Sequence, residues 1–135
     1  MFAPLEITIT HTILAERVAD LLVGAFEGGS DYWMERVVLA RPDEAEATER
    51  VWEEREELGG SNAFYSAIFT RSGGVRIYTD DGHAYSLTRG ALVRGLATLA
   101  KDYAHHFQDF VEGSDDATTS DVFLQVCLFD EVRYS

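Results

Sequence analysis

The chain has one cysteine, Cys127, and one lysine, Lys101, in 135 residues. A single thiol excludes an intramolecular disulfide, and its neighbours Val126 and Leu128 mark it as a buried side chain rather than a reactive one. No apolar run approaches the roughly 20 residues that a membrane helix needs, and residues Met1 to Thr10 lack the basic segment and apolar run of a signal peptide. The expected compartment is a reducing cytoplasm, with neither export nor membrane insertion. Basic residues are scarce too: 11 lysines and arginines face 24 aspartates and glutamates, for a formal net charge of −13. Such a surface repels phosphates, so direct nucleic-acid binding is not expected, and a basic protein surface is the complementary partner. A halophile surface carries the same acidity.

What is present is material for one core. A hydrophobic content of 46% and an aromatic content of 12% are those of a packed globule, and the length suits one domain, residues 1–135, that folds without metal, disulfide or cofactor. Leu5, Ile7 and Ile9 alternate with Glu6, Thr8 and Thr10, which predicts a half-buried strand. Leu14, Val18, Leu21, Leu22 and Ala25 then recur at helical spacing, with Thr10 or Thr12 as N-cap and Gly28 and Gly29 as the stop. Tyr32 to Ala40 reads as a strand that sets Trp33, Val37 and Leu39 against Met34 and Val38, with both faces covered.

Arg41 to Leu58 is rich in acids and poor in large apolar residues, and reads as an acidic helix over about 43–58 lying loosely on the domain, or as frayed chain. Asn62 to Thr70 has strand composition. Asp80, Asp81 and Gly82 separate two strand-like runs. A three-residue loop with Gly82 left-handed puts Val75, Ile77, Thr79, His83, Tyr85 and Leu87 on one face, whereas a two-residue loop mixes charge with Leu87. Thr88 caps a helix whose apolar positions run from Leu92 to Phe110, and Gly113 breaks it. Ala117 to Leu128 has almost no polar face and is expected at the centre of the core, followed by a short strand at Glu131 to Tyr134. The expected fold is α+β, a small, mainly antiparallel sheet of about four to six strands packed by about three to four helices.

Two stretches carry a resemblance. Phe26-Glu-Gly-Gly-Ser-Asp-Tyr-Trp33 resembles the Glu-Gly-Gly-x-x-Tyr-Trp segment of a group of small proteins encoded by tailed bacteriophages and prophages. His106-Phe-Gln-Asp109-Phe110, the Asp115-Asp116 pair and Asp121-Val-Phe-Leu-Gln-Val-Cys-Leu-Phe129 resemble the C-terminal part of the same group. Asp130 stands where a Phe-Gly-Glu-Val ending has Gly. The resemblance implies phage genes expressed in a host bacterial cytoplasm and brings no catalytic residues.

Three sets of side chains are candidate sites. Ser30, Asp31, Tyr32 and Trp33, beside two glycines, offer a loop for a base or sugar ring, unless the glycines simply cap the helix and the aromatics fill the core. Trp52 with Glu49, Glu53 and Glu56 is the partner-binding candidate, a Trp among acids that serves either as an interface anchor or as core. His105, His106, Asp109 and Glu112 have the helical spacing to share a metal or proton, against the alternative of histidines placed at a helix end for its dipole. The carboxylates Asp109, Asp115, Asp116 and Asp121 read as caps and solvated groups rather than a Mg²⁺ or Ca²⁺ loop.

No spacing argues nucleophilic catalysis. The expectation is a non-enzymatic, acidic interaction protein of phage type that engages a basic surface of a host or phage protein, for instance in anti-defence. The alternatives are a binder of a small ligand or nucleotide derivative, and a metal-dependent hydrolase built on His105, His106 and Asp109. Sheet edges left to cover make a homodimer consistent with either binder.

Overall fold

The computed structural model describes residues 2–39, 50–51 and 75–135. The elements are α1 (Ala15–Gly24), a wide π turn (Ala25–Gly29), β1 (Met34–Leu39), β2 (Arg50–Val51), β3 (Val75–Thr79), β4 (Ala84–Leu87), α2 (Arg89–Asp102), α3 (Ala104–Glu112) and α4 (Ala117–Phe129). The architecture is α+β. Three antiparallel strands of ordinary length, with the two-residue β2 at one edge, form a sheet of order β2-β1-β3-β4. Among the described residues that is slightly fewer than the four to six strands expected, because the strands expected at Leu5 to Ile9 and at Glu131 to Tyr134 do not form. No helix among the described residues is long and apolar enough to cross a membrane.

The first missing strand is the N-terminal one. Residues 2–14 hold no helix or strand, and Leu5, Ile7 and Ile9 lie exposed. Alternation marks a face that wants burial, but a strand exists only where a neighbour supplies its hydrogen bonds. The helix that follows begins at Ala15, later than expected. Its N-cap is Leu14 with no side-chain cap, so neither Thr10 nor Thr12 fills that role.

In β1 the register shifts between Met34 and Arg36. This irregularity sets Met34 opposite Thr79 and Val37 opposite Ile77, so Met34 and Val37 share the core face that strict alternation assigns to Trp33 and Val37. Val38 is buried on the opposite face, so both faces are covered as expected. Of the acidic segment 43–58, only Arg50 and Val51 are described. They pair as β2 with Leu39 and Val38, which interrupts the expected helix; the rest, like Asn62 to Thr70, lies outside the described residues.

The β3–β4 hairpin has the expected loop. Gly82 sits at φ 85°, its amide donates to the Thr79 carbonyl at 3.0 Å, and Ile77 faces Tyr85 while Val75 faces Leu87. Thr88 caps α2 by accepting the Ala91 amide at 3.1 Å. The long helix expected through Phe110 is broken at Tyr103 (φ −131°, ψ 50°), where the hydroxyl turns to accept the Val132 amide. Gly113, left-handed at φ 79°, ends α3, and Asp116 caps α4 through the Thr119 amide.

Helix α4 is the centre of the molecule. Thr119 through Cys127 are all buried, and α1, the π turn, α2, α3 and β4 pack around it. Close approach is bought with small residues: a Cβ on Gly24 would run into Ser120, and one on Gly95 into Cys127. The thiol of Cys127 is buried, and burial pushes its pKa up and keeps it protonated, as a packing residue requires.

The second missing strand is the C-terminal one. Residues 131–134 form none, because the α4 side chain of Gln125 takes the place of a neighbouring strand. Its Oε1 accepts the amides of Arg133 and Tyr134, both at 2.8 Å, and its Nε2 donates to the Tyr134 carbonyl at 3.0 Å.

Candidate functional site

The π turn and the residues after it carry the loop chain back over the N-terminal half of α4. Ser30 is fixed by its amide bond to the Ala25 carbonyl, and its own carbonyl accepts the amides of Trp33 and Met34. This tight turn aims three neighbouring side chains at one group on α4, the carboxylate of Asp121. Oδ1 accepts from Ser30 Oγ and from Trp33 Nε1, both at 2.8 Å, while Oδ2 accepts from the Tyr32 hydroxyl at 2.5 Å and from Gln125 Nε2 at 3.1 Å. Four donors saturate the acceptor sites of a carboxylate, which is how a buried charge is tolerated without a counter-ion. The Trp33 indole stacks on Tyr134 (5.1 Å, 3°) and meets Phe129 edge-on.

Asp121 therefore is neither the cap nor the solvated acid expected from the sequence. It is a buried acceptor that joins the loop, α4 and, through Gln125, the C-terminal tail. With its lone pairs taken, it has none to offer a substrate proton or a metal. Tyr32 is held as a donor: burial first, then the bond to Asp121, pushes its phenol up to about 12, so it stays protonated through neutral pH.

Beside this junction opens a pocket of about 500 Å³, lined by Gly28, Gly29, Tyr32, Thr118, Asp121 and Tyr134 with their neighbours, none of them basic. Of the four loop candidates, only Tyr32 reaches it. Ser30 and Trp33 are buried against Asp121, and Asp31 is exposed outside the lining. The partner-binding candidates Glu49, Trp52, Glu53 and Glu56 lie outside the described residues.

The histidine cluster does not assemble. His105 is exposed with its ring 4.0 Å from that of His106, whose Nδ1 lies 3.3 Å from Thr119 Oγ1, and Glu112 accepts from Gln108. Among the described residues no three His, Cys, Asp or Glu side chains converge to hold a metal. Burial, and then the charge of His105, lowers the proton affinity of His106. The remaining acids act locally. Asp115 pairs with Arg17 at 2.9 Å, tying α1 to the turn before α4, and Asp116, its pKa lowered by the bond from the Thr119 amide, caps α4.

Pattern reading takes Asp121 for a cap or a solvated acid and gives Gln125 and Tyr134 no part in a site. A signal existed: Asp121 and Gln125 are a polar pair at i,i+4 in a helix otherwise apolar along its middle. Comparison of the chain with protein-family models, with curated proteins and with solved structures gives no match.

Proposed function

We propose that the chain is a non-enzymatic interaction protein that engages a basic protein surface, with the Tyr32–Tyr134 pocket receiving an arginine or lysine side chain of the partner. One observation carries this reading: in a protein of net charge −13, the pocket is edged by the Tyr32 and Tyr134 side chains and has no lysine, arginine or histidine in its lining. Tyrosine faces attract cations, and the surrounding negative field concentrates them and speeds encounter. Exposed Glu27 and Asp31 extend that field on either side of the loop. The resemblance to phage and prophage proteins supports the setting, a host bacterial cytoplasm in which an acidic protein occupies a phosphate-binding groove of a host or phage protein, as in anti-defence.

The test uses an arginine-rich peptide as probe, titrated by calorimetry at rising ionic strength. Binding should weaken steeply with salt, and Tyr32→Ala should weaken it about tenfold at fixed salt. Affinity indifferent to both changes would sink the reading.

A second reading draws on the pocket's size. About 500 Å³ falls within the roughly 300–1,000 Å³ of small-ligand sites, which supports a binder of a small cationic or aromatic ligand. Saturation by such a ligand with no response to the basic peptide would favour it.

A further inference from the structure

Among the described residues the N-terminal arm and the β4 edge of the sheet each lack a strand partner, and each has what the other needs. Leu5, Ile7 and Ile9 are 97%, 83% and 69% exposed, and Phe2 is exposed as well. The chain is anchored only from His11, whose ring meets Phe107 edge-on at 5.0 Å, and from Ile13, which packs on the core. Residues 2–10 ahead of that anchor form no strand and join no strand ladder among the described residues. Among the described residues β4 is the last strand of the sheet. Thr79 donates its amide to the His83 carbonyl, so by antiparallel alternation the pairs Ile77–Tyr85 and Val75–Leu87 are bonded inward, and the amides and carbonyls of Ala84 and Ser86 point outward. Both residues are exposed.

We propose that the arm adds as a strand to the β4 edge of a second copy of this chain, and that two copies exchange arms reciprocally. In that register Leu5, Ile7 and Ile9 extend the helix-covered face beside Tyr85 and Leu87, while Glu6 and Thr8 face the other side. The occupant is a second copy, since the single chain leaves the three side chains in water and a reciprocal exchange covers both arms at once. The free arm of nine residues reaches about 30 Å when extended, enough to cross to a neighbour. Two exchanged arms, with Phe2, remove on the order of 1,000 Å² from water once the covered surface is counted, the size a specific interface needs. A two-fold exchange also closes the assembly, so no further edge is left to recruit copies. The arm carries only Glu6 as a formal charge, but the bodies it joins are both strongly acidic, so added salt should tighten the pair by screening their repulsion.

Sedimentation of the full chain across a range of concentrations tests this. A concentration-dependent dimer is expected, tighter at high salt. Ile7→Asp should leave a monomer with an unchanged circular dichroism spectrum and melting temperature, and Ser86→Pro, which removes an outward amide, should do the same from the other surface. Mixing Thr8→Cys with Ser86→Cys, whose side chains share the face opposite Tyr85 and Leu87, under oxidising conditions should give a disulfide-linked heterodimer. A monomer at every concentration, a dimer indifferent to both single variants, open-ended polymers without a dimer plateau, or an Ile7→Asp chain that unfolds would each overturn the proposal. The basic-peptide titration reads the Tyr32 pocket alone, so the two proposals fail separately.

Discussion

The Trp33 indole N–H and the Asp121 carboxylate meet at 2.8 Å across 88 residues of chain. Because Trp33 is at once stacked on Tyr134 and bonded to Asp121, the loop, the central helix and the C-terminal tail are one polar unit inside an apolar core. Replacing Asp121 with Ala strands the donors of Ser30, Trp33, Tyr32 and Gln125 together, and should cost about 3 kcal/mol or more of folding stability. Trp33→Phe removes a single bond to a charged acceptor and should cost about 1.5 to 3 kcal/mol. Urea denaturation followed by far-ultraviolet circular dichroism measures both, and equal, small losses would show that the junction is not a unit.

The phenol of Tyr32 gives the junction a signature at high pH. Its folded value, about 12, lies above the ordinary value of 10.0. Below pH 10 both states keep the proton and the bond to Asp121 stabilises fully; between pH 10 and 12 the unfolded chain releases a proton that the folded chain retains, so stability falls as pH rises. The ring is half exposed, and solvent screening makes the loss smaller than the full shift implies. The decline of stability over that window should be shallower in Tyr32→Phe than in the parent chain. Parallel curves would exclude a buried, Asp121-bound phenol.

On the acid side His106 acts in the opposite sense. Burial and neighbouring His105 lower its affinity for a proton in the folded state, so its contribution is present above the unfolded value near 6.5 and is lost as pH falls below it. His105→Gln removes the second cause and should move the His106 titration upward, as read by NMR of the ring protons. An unmoved titration would leave burial alone as the cause.

Which features the sequence disclosed follows from the distance over which each is decided. The Asp81-Gly82 turn, the Thr88 and Asp116 caps and the Gly113 stop each depend on a few adjacent residues, and each was readable. Strand identity at Leu5 to Ile9 depends on a partner that periodicity cannot name. The Trp33–Asp121 bond depends on two segments that meet only when α4 is in place, so the sequence leaves the loop open between a ligand site and a helix stop with core aromatics, and reads Asp121 as a cap or solvated acid.

Residue 130 shows a local conflict between chain and fold. Asp130 closes α4 at φ 62°, ψ 3°, the left-handed conformation in which a side chain is strained and glycine is not. Asp130→Gly should therefore stabilise the chain by about 1 kcal/mol, read as a higher urea midpoint with unchanged slope. A loss of stability would mean that the Asp130 side chain contributes more than its backbone strain removes.

The last prediction concerns the crossing of α2 and α4. Gly95 lies so close to Cys127 that a Cβ there would overlap the sulfur and approach the Cys127 backbone at 3.1 Å. Gly95→Ala gains helix propensity of about 1 kcal/mol relative to Gly, but the overpacked contact should outweigh it, for a net loss of about 1 to 3 kcal/mol. Cys127→Ala alone removes a buried sulfur and should cost about 1 kcal/mol through the small cavity it leaves. Combined, the two changes exchange volume across the same contact, because the methyl added on α2 occupies space vacated on α4. The double variant should be more stable than the sum of the single losses predicts, with a coupling of about 0.5 to 3 kcal/mol. Denaturation of all four proteins completes the cycle, and additivity within about 0.5 kcal/mol would show that α2 and α4 do not meet at these two residues.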